Sequence, residues 1–258
     1  MKVYISQLVE TEKIKGILEK YDVGLEIVLF ASPYCLDRQD EFIENYKEEL
    51  GDLYGKIDIS IHGPFVELCP GTRDELISKV TNYRMQQAYD VAKKMNAKYM
   101  VYHNGYYPNT YSYIEWMQNA PTFWQNFLQD KKDDGIKVHI ENVFEDDYFI
   151  LNELMEEIAD DKTSMCLDVG HVSAYSKIDV MEWMKILNKY IKHMHIHNNC
   201  GDRDSHLGIN KGDLDIMEIL NLVKDKDITI SLEITNLDEL EESLEILYKN
   251  GFITDRKL

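Results

Sequence analysis

A chain of 258 residues with 44% hydrophobic and 11% aromatic content can bury one large core, so a single domain spanning 1–258 is expected. Its 47 acidic against 28 basic residues give a formal net charge of −19, which opposes binding to a phosphate backbone, and no local basic patch offsets it. The opening MKVYISQLVE carries no apolar run of signal-peptide length and no stretch reaches the ~18 to 20 apolar residues of a membrane span, so a soluble, cytoplasmic protein without a membrane partner is expected.

In chain order, β-rich runs at 2–6, 24–30, 57–62, 99–103, 137–141, 165–168, 192–197 and 228–234 read as strands. Amphipathic patterns at 11–21, 39–52, 74–96, 113–132, 148–160, 179–190, 214–224 and 237–250 read as helices, many opening near an Asp, Thr or Asn. Strand then helix, eight times over with no Pro/Gly-rich linker, predicts an α/β fold: a closed parallel (β/α)8 TIM barrel. An open Rossmann or flavodoxin-like sheet is the alternative, but no GxGxxG turn follows the first strand. Cys35, Cys69, Cys166 and Cys200 are far apart and form no CxxC pair, which suits reduced thiols and no cysteine metal cluster. GxSxG and P-loop patterns are absent.

A barrel of this kind carries its site at the C-terminal strand ends, so the residue closing each strand is informative. The third to eighth strands close on His62 (ISIHGP), His103 (VYHNG), Glu141 (HIENV), Asp168 (CLDVGH), His195 (HMHIHNN) and Glu233 (SLEIT). Imidazole and carboxylate are the nitrogen and oxygen ligands of Zn²⁺, Mn²⁺ and similar ions. His171, three residues after Asp168, and Asp204 with His206, after the seventh strand, join them. Taken singly, such a residue is commonly a hydrogen-bonded or helix-capping group. Six around one mouth would repel or stay unsatisfied without a cation, so a divalent metal site is expected. His139 and His193 each sit two residues before a proposed ligand, one layer deeper on the same face, which suits a supporting role. His197, two residues beyond His195, would replace it if the strand-seven register shifted.

These residues resemble the xylose isomerase-like barrel superfamily, which holds sugar (phosphate) isomerases and epimerases and the endonuclease IV-like apurinic (AP) endonucleases of AP endonuclease family 2. The resemblance runs from His62 to Glu233 and is carried most specifically by CLDVGH at 166–171 and HIHNNCGDRDSHLGINKGDLD at 195–215. It implies one of two metal arrangements. Ketose epimerases hold one ion through Glu, Asp, His and Glu on strands five to eight, matching Glu141, Asp168, His195 and Glu233. The endonucleases hold three zinc ions with nine ligands, matching those four with His62, His103, His171, Asp204 and His206. The implied cofactor is therefore one to three ions of zinc or manganese. Two details favour the sugar branch. The endonucleases read Asp-Thr-Cys-His and His-x-Asn-Asp with Asp-Arg-His, whereas this chain has Asp-Val-Gly-His at 168–171, His-Ile-His-Asn-Asn at 195–199 and Asp-Ser-His at 204–206. Acidic charge and short connections, with little room for DNA-inserting loops, point the same way. Asn210 stands where the family places the first Gly of a Gly-x-Gly turn, which leaves that loop's shape open.

The leading expectation is thus an isomerase or epimerase of a small sugar or sugar phosphate, working through an enediolate with a divalent ion as Lewis acid and Glu141 and Glu233 as the acid–base pair. His171 and Arg203 are candidates to hold substrate oxygens, and Phe65 and Trp116 to cover an apolar sugar face. Arg38, Arg73, Arg203 and Lys211 are the loop cations available to a phosphate. The alternative is a zinc-dependent phosphodiesterase in which Glu141 activates water, with His62, His103, Asp204 and His206 in its favour. A barrel that binds sugar or metal without turnover is the non-catalytic reading.

Overall fold

The computed structural model describes residues 1–131 and 134–257. Eight strands, β1 (Lys2–Ser6), β2 (Gly24–Ile27), β3 (Ile59–His62), β4 (Tyr99–His103), β5 (Lys137–Glu141), β6 (Thr163–Asp168), β7 (Ile191–Ile196) and β8 (Thr229–Leu232), pair in parallel in sequence order. Pairing of β1 with β8, from Lys2↔Thr229 to Ile5↔Leu232, closes the barrel. The helices are α1 (Thr11–Lys20), α2 (Pro33–Leu36), α3 (Gln39–Leu50), α4 (Glu75–Lys94), α5 (Tyr113–Leu128), α6 (Phe149–Ile158), α7 (Val169–Tyr175), α8 (Val180–Ile186), α9 (Ile216–Val223) and α10 (Leu237–Lys249). The fold is the (β/α)8 TIM barrel expected from the alternation of patterns. Among the described residues no helix is long and apolar enough to cross a membrane.

Locally, the elements depart from the sequence patterns in four places. The run at 24–30 stops being a strand at Ile27, and Leu29–Ala31 forms a 3₁₀ turn, because the chain must leave the sheet before Pro33 opens α2. Helices α2 and α7, of four and seven residues, were too short to show a helical period. The sixth strand begins at Thr163, two residues earlier than its apolar run. The pattern at 113–132 forms α5 to Leu128, and Lys132 lies outside the described residues.

The main apolar core lies between strands and helices, with Ile5, Leu25, Ile61, Met100, Ile140, Leu167 and Leu232 buried against helical residues such as Leu18, Trp124 and Leu244. The barrel interior is different. Its apolar side chains form a separate small cluster, Tyr4, Tyr99, Val101 and Cys166, and the remaining space is filled by polar groups. Tyr99 packs on Tyr4, His139 and His193 with centroids 5.1, 5.0 and 4.6 Å apart, plugging the N-terminal half. His139 and His193 bond to Ser164 and Thr229 hydroxyls at 2.7 Å, so both lie in the layer beneath the strand ends. A cavity of about 810 Å³ opens at this N-terminal mouth, lined by Tyr99, His139, Lys137 and Lys192 and by none of the proposed ligands.

Candidate metal centre

The six strand-end residues converge because adjacent strands are in register at the C-terminal mouth: His103 is opposite Glu141, and Asp168 opposite His195. A register shift in β6 between Met165 and Cys166 sets which imidazoles of β7 face inward at that height. His195 Nδ1 lies 3.2 Å from Glu141 Oε1, 3.5 Å from Glu233 Oε1 and 3.8 Å from Asp168 Oδ2. His197 is not a substitute for it but a further member, with Nε2 3.1 Å from Asp168 Oδ1 and 3.6 Å from Asp204 Oδ1.

Among the overlapping groups in which all donor atoms lie within 4.8 Å of one another, three together take in every proposed ligand. These are His62, His103 and Glu141; then Glu141, Asp168, His195 and Glu233; then His171, His197, Asp204 and His206. Glu141 belongs to the first two. Cys166 lies within the same distance of His193 and His195, a proximity that its isolation in the sequence does not show.

Local structure aims the side chains. Asp168 caps α7 by accepting from the His171 amide at 2.7 Å, so the strand end and the next ligand are one device. Asn142 bonds the Asp168 backbone in both directions, at 2.8 and 2.9 Å. His62, His171 and His206 each give Nδ1–H to a backbone carbonyl, of Gly63, Asn142 and Glu233, at 2.9 Å. Their Nε2 atoms then face Glu141 or Asp204 at 3.1 to 3.3 Å. His206 holds φ +47°, a left-handed conformation unusual for a non-glycine residue, at the point where the loop folds back toward Asp204. Asn198 shapes the rest of that loop, bonding Ile209 and Leu214 carbonyls at 3.0 Å. Gly212 is required there because a Cβ would overlap the Asn198 side chain. Asn210 points away to Glu242 at 2.8 Å, so its departure from the glycine pattern leaves the close approach intact.

Electrostatics show what this density of charge entails. Burial raises the Glu141 carboxyl, but His195 and His103 beside it hold it well below the ordinary carboxylate range. Asp168 is likewise lowered, by His171 and His197 against its burial. Burial, opposed by Glu141 and helped by neighbouring imidazoles, pushes His103 down to about 3. His206 goes up to about 9, since Asp204 and Glu233 outweigh its burial. The residues fit a divalent cation: Glu141, Asp168 and Glu233 are buried carboxylates surrounded by imidazole nitrogen, and the buried Asp204 Oδ1 has no hydrogen-bond partner among the described residues.

Other expectations meet a different fate. Phe65 stacks on His103 with centroids 4.3 Å apart and is half-buried at the mouth. Trp116 is corrected: it is 1% exposed, packed under Gly71 and Tyr106, and presents no face to a substrate. Arg203 is exposed in the loop before Asp204. Arg73 and Lys211 are engaged by Glu115 and Glu242 at 2.6 and 2.7 Å, and Arg38 lies over the Tyr34 ring. Glu26 was missed. It sits on β2, is fully buried, and faces His195 and His193. A lone acid in GLEI, without a neighbouring motif, was its only signal.

Residues 6–250 match the family described as xylose isomerase-like TIM barrels. The chain belongs to that family. This xylose isomerase-like barrel is 29% identical over 274 residues to the uncharacterized protein MJ1311 of Methanocaldococcus jannaschii, covering 100% of the chain and 92% of the relative. It is also similar to a probable endonuclease 4 of Metamycoplasma arthritidis, at 26% identity over 206 residues and 71% of each chain. Among solved structures, a D-tagatose 3-epimerase-like protein superposes with a TM-score of 0.77 at 27% identity, over 98% of this barrel and 97% of that chain. Both branches implied by the sequence are thus among its relatives.

Proposed function

We propose that this barrel is a divalent-metal-dependent phosphoester hydrolase acting on a small substrate. The observation that carries the reading is the convergence of nine matched donors into three adjoining groups, where a single-ion enzyme needs only one. His62, His103 and Glu141 would hold one ion, Glu141, Asp168, His195 and Glu233 a second, and His171, Asp204 and His206, with His197 beside them, a third. Bound divalent ions supply Lewis-acid stabilisation of a phosphoryl group and acidify water. Glu141, between His62, His103 and His195, would bridge the first two ions and so orient an attacking water that those ions acidify. Phe65 and His103 wall one side of the mouth, and Asp204 aligns His171 with His206 on the other. The net charge of −19 disfavours a long polyanion, so a small ester fits better than nucleic acid.

A second reading rests on a separate observation. Glu141 and Glu233 approach the same His195 nitrogen from β5 and β8, the arrangement of an acid–base pair that removes and returns a proton beside a sugar carbonyl. Likeness to the D-tagatose 3-epimerase-like structure supports it. Elemental analysis of purified protein separates the two. Two or three ions per chain, fewer after His62→Ala or His103→Ala, with hydrolysis of bis-p-nitrophenyl phosphate lost in Glu141→Gln, is the expected result. About one ion, unchanged by either histidine substitution, with epimerisation of a ketohexose, would overturn it for the sugar reading.

A further inference from the structure

Glu26 lies beneath the donor groups in the barrel interior, 0% exposed. Its Oε1 is 3.1 Å from His195 Nε2, and its Oε2 is 3.3 Å from His193 Nε2 and accepts from the Ser60 hydroxyl at 3.4 Å. The imidazole contacts lie off the ideal hydrogen-bond axis, and Glu26 Oε1, His195 Nε2 and His193 Nε2 have no aligned partner elsewhere among the described residues. On its other side, His193 is tied through Nδ1 to Thr229.

His195 differs from three of its fellow donors. His62, His171 and His206 put Nδ1–H on a backbone carbonyl and turn Nε2 inward. His195 is reversed, with Nδ1 toward Glu141 and Glu233. A neutral imidazole that offers Nδ1 as a ligand carries its proton on Nε2, and a buried N–H needs an acceptor. That nitrogen projects across the barrel interior, where side chains of other strands are what it meets. Glu26, on the far side of the barrel from β7, supplies the oxygen at contact distance. Metal-bound histidines characteristically use such a carboxylate to set ring orientation and tautomer.

We infer that Glu26 is a positioning residue that keeps the His195 proton on Nε2 and so turns Nδ1 toward the metal centre, with His193 holding its second oxygen in place. The inference rests on the metal reading proposed above. It makes β2, a strand that contributes no donor of its own, part of the centre.

The test uses full-length protein, with the His195 ring protonation read by ¹⁵N NMR on the Zn²⁺-loaded chain and Zn²⁺ affinity read by competition with a chromophoric chelator. Glu26→Leu removes the acceptor, and Glu26→Gln keeps the shape with a neutral one. The expected result is an Nε2–H tautomer in the wild type, loss of that preference in Glu26→Leu, and zinc binding weaker by about 10- to 100-fold, with Glu26→Gln between the two. Unchanged His195 shifts and unchanged affinity in a folded Glu26→Leu would overturn it. If Glu26→Leu does not fold, the same two readings on Glu26→Gln decide. A wild type that takes up no Zn²⁺ sinks the metal reading itself, whereas Zn²⁺ uptake that is indifferent to Glu26 sinks only this inference.

Discussion

Glu145 shows how a single residue near the centre responds to burial. It is 4% exposed and accepts from the Asn104 side chain at 2.8 Å and the Val143 amide at 2.7 Å, yet burial outweighs these bonds and pushes its carboxyl up to about 7. The native state therefore binds more protons than the unfolded chain between the ordinary carboxylate range and pH 7, and the stability due to this group falls as pH rises through that interval. In metal-free protein, ¹³C NMR of the Glu145 carboxyl is expected to titrate near 7; a midpoint near 4.5 would refute it. At this scale the candidate donors were legible because each closes a strand or lies in a recognisable motif. Glu26 was not, and His197 was legible only as a substitute for His195, since their partners lie 169 and 29 positions away in the chain. Trp116 was misread because an aromatic facing a site and one filling a helix core have the same sequence appearance.

At the level of elements, α7 connects fold to site. Asp168 ends β6 and caps α7 at once, and Gly170 lets the first turn of α7 pass against His197, where any Cβ would overlap the ring. Gly170→Ala is expected to destabilise the protein by roughly 1–3 kcal/mol and to lower zinc content, read by thermal melting and metal analysis. Unchanged metal content would show that His197 and its neighbours do not hold an ion. A control lies on α4, whose N-cap Asp74 accepts from the Leu76 and Ile77 amides far from the donors. Asp74→Ala should cost about 1 kcal/mol and leave metal content unaltered. The long helices were visible from their apolar period, whereas α7 is shorter than two full turns of pattern and is specified by its cap.

For the whole molecule, the closed barrel turns dispersed acids and imidazoles into one charged cluster that the apolar layer outside the strands must hold together. Cation binding to the folded state alone adds stability by mass action, about 2.7 kcal/mol at a hundredfold excess over Kd. Chelation should therefore lower the melting temperature by roughly 5–10 °C for a chain of this size; an unshifted melt would count against a resident ion. By itself the sequence determined the barrel, through eight alternations of short β-rich and longer amphipathic runs, and it pointed to most of the candidate donors, through the residue types at strand ends. The tertiary structure alone decided how the donors divide into groups, which nitrogen of each imidazole faces the centre, and that Glu26 stands behind His195. The physical reason is that sequence periodicity records which face of an element is buried, while grouping and tautomer depend on strand register and on partners brought together only when β8 closes on β1.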